Sequence, residues 1–134
     1  MINGDWSSDV CSSDLKIRHK VGQSDVDAFL SEVRLAIADG RCMIDTRKFK
    51  NKRTIAALGL LPEDILDEIS DLTYEDYIYG PEPDERPKHK GEDVWFFKKK
   101  VDWFMIYIKL EFQLIQGTNT YQKLVVMSFH EDNI

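Results

Sequence analysis

At 134 residues with 43% hydrophobic content, the chain has the length of one domain and enough apolar material for a core. Its 31% charged residues, and the lack of any apolar run near the ~20 residues that cross a bilayer, argue against a helical membrane protein. The N-terminus shows no apolar segment of the secretory type, so a cytoplasmic protein is expected. A net charge of −6 argues against polyanion binding by overall charge, leaving only local concentrations of cations for that purpose.

Asp5 to Leu15, DWSSDVCSSDL, resembles the conceptual translation of a sequencing-adapter oligonucleotide along its whole length. Residues 1–15 are therefore set apart as not native, and residues 16–134 are read as a single domain. The stretch is rich in Ser and Asp and would be a flexible tail in any case. It holds three aspartates and no basic residue, so the rest of the chain carries −3 of the −6. It also removes Cys11 and leaves Cys42 alone. A lone cysteine forms neither an intramolecular disulfide nor a cysteine zinc site, which fits a reducing compartment. Cys42 is read as a small buried residue in preference to a nucleophile.

Ser24 to Asp39 is the first element. Val26, Phe29, Leu30, Val33 and Ile37 recur at helical spacing, with Ser24 as candidate cap, Asp25 and Asp27 at the positive end of the dipole, and Gly40 as the stop. Cys42 and Ile44 then alternate with Met43 and Asp45 as a short strand. Arg47, Lys48, Lys50, Lys52 and Arg53 follow, with Phe49 among them. This local positive field suits phosphates, with an aromatic ring to stack on a base. An acidic protein partner or a plain solvated loop would explain it equally in kind. Thr54 to Leu61 reads as a short helix through Ile55, Leu58 and Leu61. Pro62 opens another, with Glu63 and Asp64 in its first turn and Ile65, Leu66, Ile69 and Leu72 buried. Ser70 to Tyr79 reads as a continuation, with Thr73 capping TYEDYIY.

Gly80 to Pro87, GPEPDERP, contains three prolines and predicts a stiff extended loop, neither helix nor central strand. It would place Glu82, Asp84, Glu85 and Arg86 at the rim of a site, or serve only as a connection. Val94 to Lys99 is a strand of high β propensity. Asp102-Trp103 stands where a hairpin would turn, and the tryptophan predicts a longer turn or a packed indole. Phe104 to Ile115 alternates cleanly. Phe104, Ile106, Ile108, Leu110, Phe112 and Leu114 face a core, and Met105, Tyr107, Lys109, Glu111 and Gln113 face away. Tyr107 and Lys109, about 7 Å apart along the strand, can address one ligand or simply line a polar face. Gly117 to Thr120 predicts a turn. Gln122 to Glu131 closes the chain as a strand, with Val125, Met127 and Phe129 on one side and Ser128 and His130 on the other.

Helices followed by an antiparallel meander make an α+β pattern, with N-terminal helices packed on a small C-terminal antiparallel sheet. No Gly-rich nucleotide loop, metalloprotease, nucleophile-elbow or cysteine zinc motif occurs, so neither cofactor nor metal is expected.

The order LTYEDYIYGPEPDERP, VWFFKK, IYIKL and VVMSFH over residues 72–130 resembles the MqsR (motility quorum-sensing regulator) family of bacterial type II toxins. The segment DVDAFLSEVRLAIADGR ahead of ALGL and PEDI is similar to that family in layout. The resemblance spans most of residues 24–131. It implies a fold of the RelE ribonuclease class, metal-independent cleavage of messenger RNA, and a cognate antitoxin partner. The family's strand tyrosine falls on Tyr107, its following lysine on Lys109, and its C-terminal basic residue on His130. Tyr79 and Phe96 depart from the pattern, standing where the family carries a lysine and a glutamine.

The residue chemistry agrees with this expectation. Attack of the RNA's own 2′-hydroxyl needs a base, an acid for the leaving 5′-oxygen, and positive charge for the phosphorane. Histidine suits proton transfer. Lys109 can neutralise phosphate charge, with Arg86 or Lys98 assisting, and Tyr107 serves as hydrogen-bond donor or acid. Arg47, Lys48, Lys50 and Arg53 complete the expected RNA contacts. His130 could otherwise be a plain surface histidine near the chain end. His89 in its polar loop and His19 in the leading segment carry no expected role.

Overall fold

The computed structural model describes residues 19–115 and 122–131. The adapter-like stretch and the predicted Gly117–Thr120 turn lie outside them. Helix α1 (Gln23–Ala38) leads to strand β1 (Cys42–Ile44), α2 (Phe49–Leu58) and α3 (Pro62–Ser70). After a 3-10 turn at Tyr74–Asp76 come β2 (Tyr77–Pro83), β3 (Asp93–Val101), β4 (Phe104–Leu114) and β5 (Gln122–Glu131). The strands form one sheet in the order β1-β5-β4-β3-β2. The architecture is α+β, with the helices mostly N-terminal, but the sheet is mixed rather than purely antiparallel. Strand β1, from the helical half, pairs parallel to β5 through Cys42–Leu124 and Ile44–Val126.

The helices cover one face. Val26, Leu30, Val33 and Ala36 of α1, with Ile65 and Ile69 of α3, pack on Phe97, Ile106, Ile108, Leu110, Leu124, Val126 and Phe129. Each such large aliphatic or aromatic side chain contributes roughly 1.5–3 kcal/mol when fully buried. Phe29 stacks on Trp95 at 4.2 Å between centroids and meets Phe112 edge-on. Gly40 stops α1 as expected: at φ +75° it lets Arg41 N reach Ala36 O, while its own N–H donates to Ile37 O. The N-cap, however, is Gly22 rather than Ser24, and no side chain caps it.

Several expectations are corrected. Tyr77–Tyr79 is not helical, because Asp76 ties back to the Thr73 N–H at 2.9 Å and closes a single 3-10 turn. The proline-rich stretch is not all loop, since Tyr77–Pro83 is a strand. It sits at the sheet edge, where missing donors cost no ladder bonds, and its pairing with β3 is broken by register shifts. Gly80 is required there: at φ +129° it lies so close to β3 that a Cβ would stand 3.0 Å from Trp95 Cα and Val94 O. The Asp102-Trp103 turn is tight, with Val101 opposite Phe104. Asp102 takes the positive φ of 54°, and the indole is 89% exposed rather than packed. Leu114 is 46% exposed, since it lies opposite Gln122 at the strand end and outside the core set.

Strand β5 breaks its predicted alternation. Lys109 pairs with Ser128 but Leu110 with Val126, so Met127 is an extra residue in a bulge. Val125, Met127, Ser128 and His130 therefore share one face, and Phe129 enters the core.

Helix α2 begins at Phe49, earlier than the predicted Thr54, so Lys50, Lys52 and Arg53 lie on a helix and not a loop. Leu61, expected on its buried side, is exposed just ahead of α3. Asn51 and Thr54 are the buried positions of α2, and they substitute for a neighbouring strand along β5. Asn51 Nδ2 donates to Asp45 O at 2.7 Å and to Met127 O at 3.1 Å, and Asn51 Oδ1 accepts from Phe129 N. Thr54 Oγ1 accepts from Glu131 N. Met127 O, Phe129 N and Glu131 N, in the part of β5 beyond three-residue β1, thus find partners without a neighbouring strand.

Candidate active site on the open face of the sheet

The face away from α1 and α3 carries the residues of interest. Directly opposed residues on neighbouring strands point the same way. Lys98, Tyr107 and His130 form one row across β3, β4 and β5, and Tyr79, Phe96, Lys109 and Ser128 form the next. The bulge at Met127 brings His130 into this arrangement. The Tyr107 and His130 rings stand 5.6 Å apart, and His130 Nδ1 lies 3.0 Å from Glu131 O. Tyr107, Lys109, His130 and Lys98 therefore occupy one patch.

A cleft of about 530 Å³ opens beside this patch, lined among others by Lys48, Tyr79, Asp84, Arg86, Phe96, Tyr107, Lys109 and Met127, whereas His130 and Lys98 lie outside its lining. Its floor is apolar. Tyr79 and Phe96 stack at 4.1 Å with 16° between planes. Lys109 Nζ lies 5.5 Å from the Phe96 centroid. Burial lowers the Lys109 pKa, and Lys48 and Arg86 lower it further against an opposing effect of Asp84. Lys48 holds its place by donating from Nζ to Met127 O at 3.0 Å.

The segment after β2 folds over one end of the cleft. Asp84 N donates to Glu92 O, and Glu92 accepts from Leu114 N at 2.7 Å and meets His89 Nδ1 at 2.6 Å. His89 is thus pinned and half-buried, not a free loop histidine. His19 also has a place, because its O accepts from Gly80 N and its N donates to Glu82 Oε2.

Under this segment lies the residue that sequence reasoning misplaced. Glu111 follows Tyr107 and Lys109 on the outward side of β4, yet it is 0% exposed. Arg86 binds Asp84 through Nε at 3.1 Å and Nη2 at 2.7 Å, and Nη2 also reaches Glu111 Oε1 at 3.3 Å. Gln113 Nε2 donates to the same Oε1 at 2.6 Å, while no donor among the described residues reaches Oε2 and the Glu111 carboxyl hydrogen-bonds to that of Asp84. Burial, together with the adjoining Asp84 carboxyl, pushes the Glu111 pKa up to about 8. The Arg86 guanidinium holds Asp84 well below the usual carboxylate range. The two carboxyls thus share one charge and one proton at neutral pH. Nothing in the alternation of β4 signals this, since a polar residue at an outward position reads as solvated.

The remaining cations spread out. Arg47 is exposed and pairs with Asp45, and Lys50 and Arg53 lie on the exposed side of α2 beside Phe49, itself 72% exposed. Asp84, His89 and Glu111 could each offer one ligand atom within 4.8 Å of the others, but Arg86 already neutralises the single charge that the two carboxyls share, and a bound cation would have to compete with it. Burial pushes the Cys42 thiol pKa up, opposite to an activated nucleophile. No helix among the described residues is long and apolar enough to cross a membrane. No protein-family model, curated protein or solved structure matches this chain.

Proposed function

We propose that the protein is a metal-independent endoribonuclease of the MqsR toxin type, with a RelE-like fold, acting on messenger RNA in the cytoplasm and held in check by a cognate antitoxin. The observation that carries the reading is the convergence of Tyr107, Lys109 and His130 on one face of adjacent strands, with Lys109 half-buried in a cleft shared with Lys48 and Arg86. In this reading the RNA 2′-oxygen attacks the adjacent phosphorus as its proton leaves to a base. The bond from phosphorus to the 5′-oxygen then breaks, and that oxygen takes up a proton. The products are a 2′,3′-cyclic phosphate and a 5′-hydroxyl. His130 transfers protons, Tyr107 donates to the leaving group or a phosphate oxygen, and Lys109 neutralises charge on the phosphorane. Lys48, Arg86 and Lys98 hold flanking phosphates, and Arg47, Lys50 and Arg53 extend the field along α2.

The test is the full chain and its His130→Ala and Lys109→Ala variants on end-labelled RNA in excess chelator. Discrete cleavage ending in a cyclic phosphate, reduced by 10²-fold or more in the variants, is expected. Cleavage abolished by the chelator would sink the mechanism.

A second reading is a protein of the same fold that binds RNA without cutting it. It is favoured by the stacked Tyr79–Phe96 pair standing where the family has polar groups. Salt-sensitive RNA affinity without products would select it. A third role, docking of an acidic antitoxin segment on the basic side of α2, would be abandoned if charge reversal there left antitoxin affinity unchanged.

A further inference from the structure

Glu111 is costly where it stands. It sits on the central strand opposite Val94 and Val125, fully buried, with its carboxyl group against that of Asp84. An apolar side chain between two valines would avoid the desolvation of a carboxyl group. What the carboxyl groups hold is Arg86. A guanidinium has five N–H donors. Nε and one Nη2 hydrogen go to Asp84, and the second Nη2 hydrogen goes to Glu111. Both Nη1 hydrogens remain without a partner among the described residues, on a side chain that is 50% exposed and lines the cleft with Lys48 and Lys109. Asp84 is tied into the fold as well, since its N–H donates to Glu92 O and its Oδ1 accepts from Arg86 N.

We infer that Asp84 and Glu111 are positioning residues, a two-carboxyl seat that fixes Arg86 with its Nη1 edge presented to a phosphodiester in the cleft. The seat immobilises a side chain that otherwise loses rotamer entropy on binding, so the guanidinium meets its anion already oriented. It also partly cancels the charge of Arg86, which suits geometric recognition of one phosphate more than long-range attraction. The inference rests on the ribonuclease reading for the nature of the anion.

The full chain would be titrated with a fluorescent 2′-O-methyl RNA oligonucleotide, which cannot be cleaved, and assayed separately on unmodified RNA. Arg86→Ala should weaken binding about tenfold, as expected for one charge-assisted contact. Asp84→Asn and Glu111→Leu should reproduce that loss, and Glu111→Gln, which keeps an Oε1 acceptor for Nη2, should stay near wild type. Asp84→Asn combined with Arg86→Ala should be no worse than Arg86→Ala alone. Millimolar guanidinium should restore binding to Arg86→Ala but not to the double variant, a rescue that a merely structural role of Asp84 would not produce. Wild-type affinity in folded Asp84→Asn, or rescue without the carboxylate, would overturn the seat while leaving the ribonuclease reading intact. Should Glu111→Leu fail to fold, Asp84→Asn and the rescue pair decide. A wild-type chain that neither binds nor cleaves RNA would overturn the ribonuclease reading and, with it, the seat's ligand.

Discussion

Glu111 should make the protein less stable as pH rises, the reverse of acid denaturation. Its carboxyl ionises near 4.5 when unfolded but holds its proton to about 8 when folded. Between those values the native state binds more protons than the unfolded state, so unfolding free energy falls with pH and levels off above 8. The contribution is fully present below about pH 4.5 and lost through pH 8. At 1.36 kcal/mol per pH unit the drop from pH 5 to 9 is roughly 4 kcal/mol, a large part of the 5–15 kcal/mol that holds typical domains together. Asp84, held below the usual carboxylate range by Arg86, is ionised in both states across this window and adds no slope. Glu111→Gln mimics the protonated acid in shape and in its two hydrogen-bonding roles, but cannot ionise. It should lie within about 1 kcal/mol of wild type at pH 5 and be several kcal/mol more stable at pH 9. Urea unfolding followed by tryptophan fluorescence at pH 5, 7 and 9 measures both chains, and their difference cancels every other titrating group. Parallel pH profiles for the two proteins would refute the argument, as would a wild type that gains stability relative to the variant at high pH.

Two further substitutions probe the frame beneath the site. Asn51→Ala leaves Asp45 O and Phe129 N without their side-chain partner, and Met127 O with Lys48 Nζ in place of two donors. It should cost roughly 2–4 kcal/mol, and hydrogen exchange at Phe129 should rise more than in β3. Gly80→Ala combines φ +129° with a Cβ 3.0 Å from backbone atoms of β3. It should cost at least about 1–3 kcal/mol, read as a lower thermal midpoint, and an unchanged midpoint would show that β2 can move away.

The periodic segments were readable from the sequence because each reports on its own burial. The 3.6-residue stripe of α1 and the alternation through Ile106, Ile108 and Leu110 required only that one side be apolar, and the core formed on those sides. Tyr107 and Lys109 on the opposite side followed from the same period of two. What alternation leaves undetermined is any place where pairing shifts by a residue. The extra residue at Met127 moves Phe129 to the core and keeps Met127, Ser128 and His130 on the open face, so the position of His130 beside Tyr107 was decided by a bulge. Proline content argued against a central strand, but edge position in the sheet determined that the segment could still be a strand. The basic run was visible as composition, yet only the start of α2 at Phe49 separated Lys48, which turns into the cleft, from Lys50 and Arg53, which do not. Glu111 shows the limit most clearly. A carboxyl group on the polar side of a strand carries no mark of burial, because the Arg86 that meets it stands 25 residues earlier. Where pairing is regular, local sequence sets which side of a strand a residue faces. Whether that side meets water depends on what the rest of the chain folds over it.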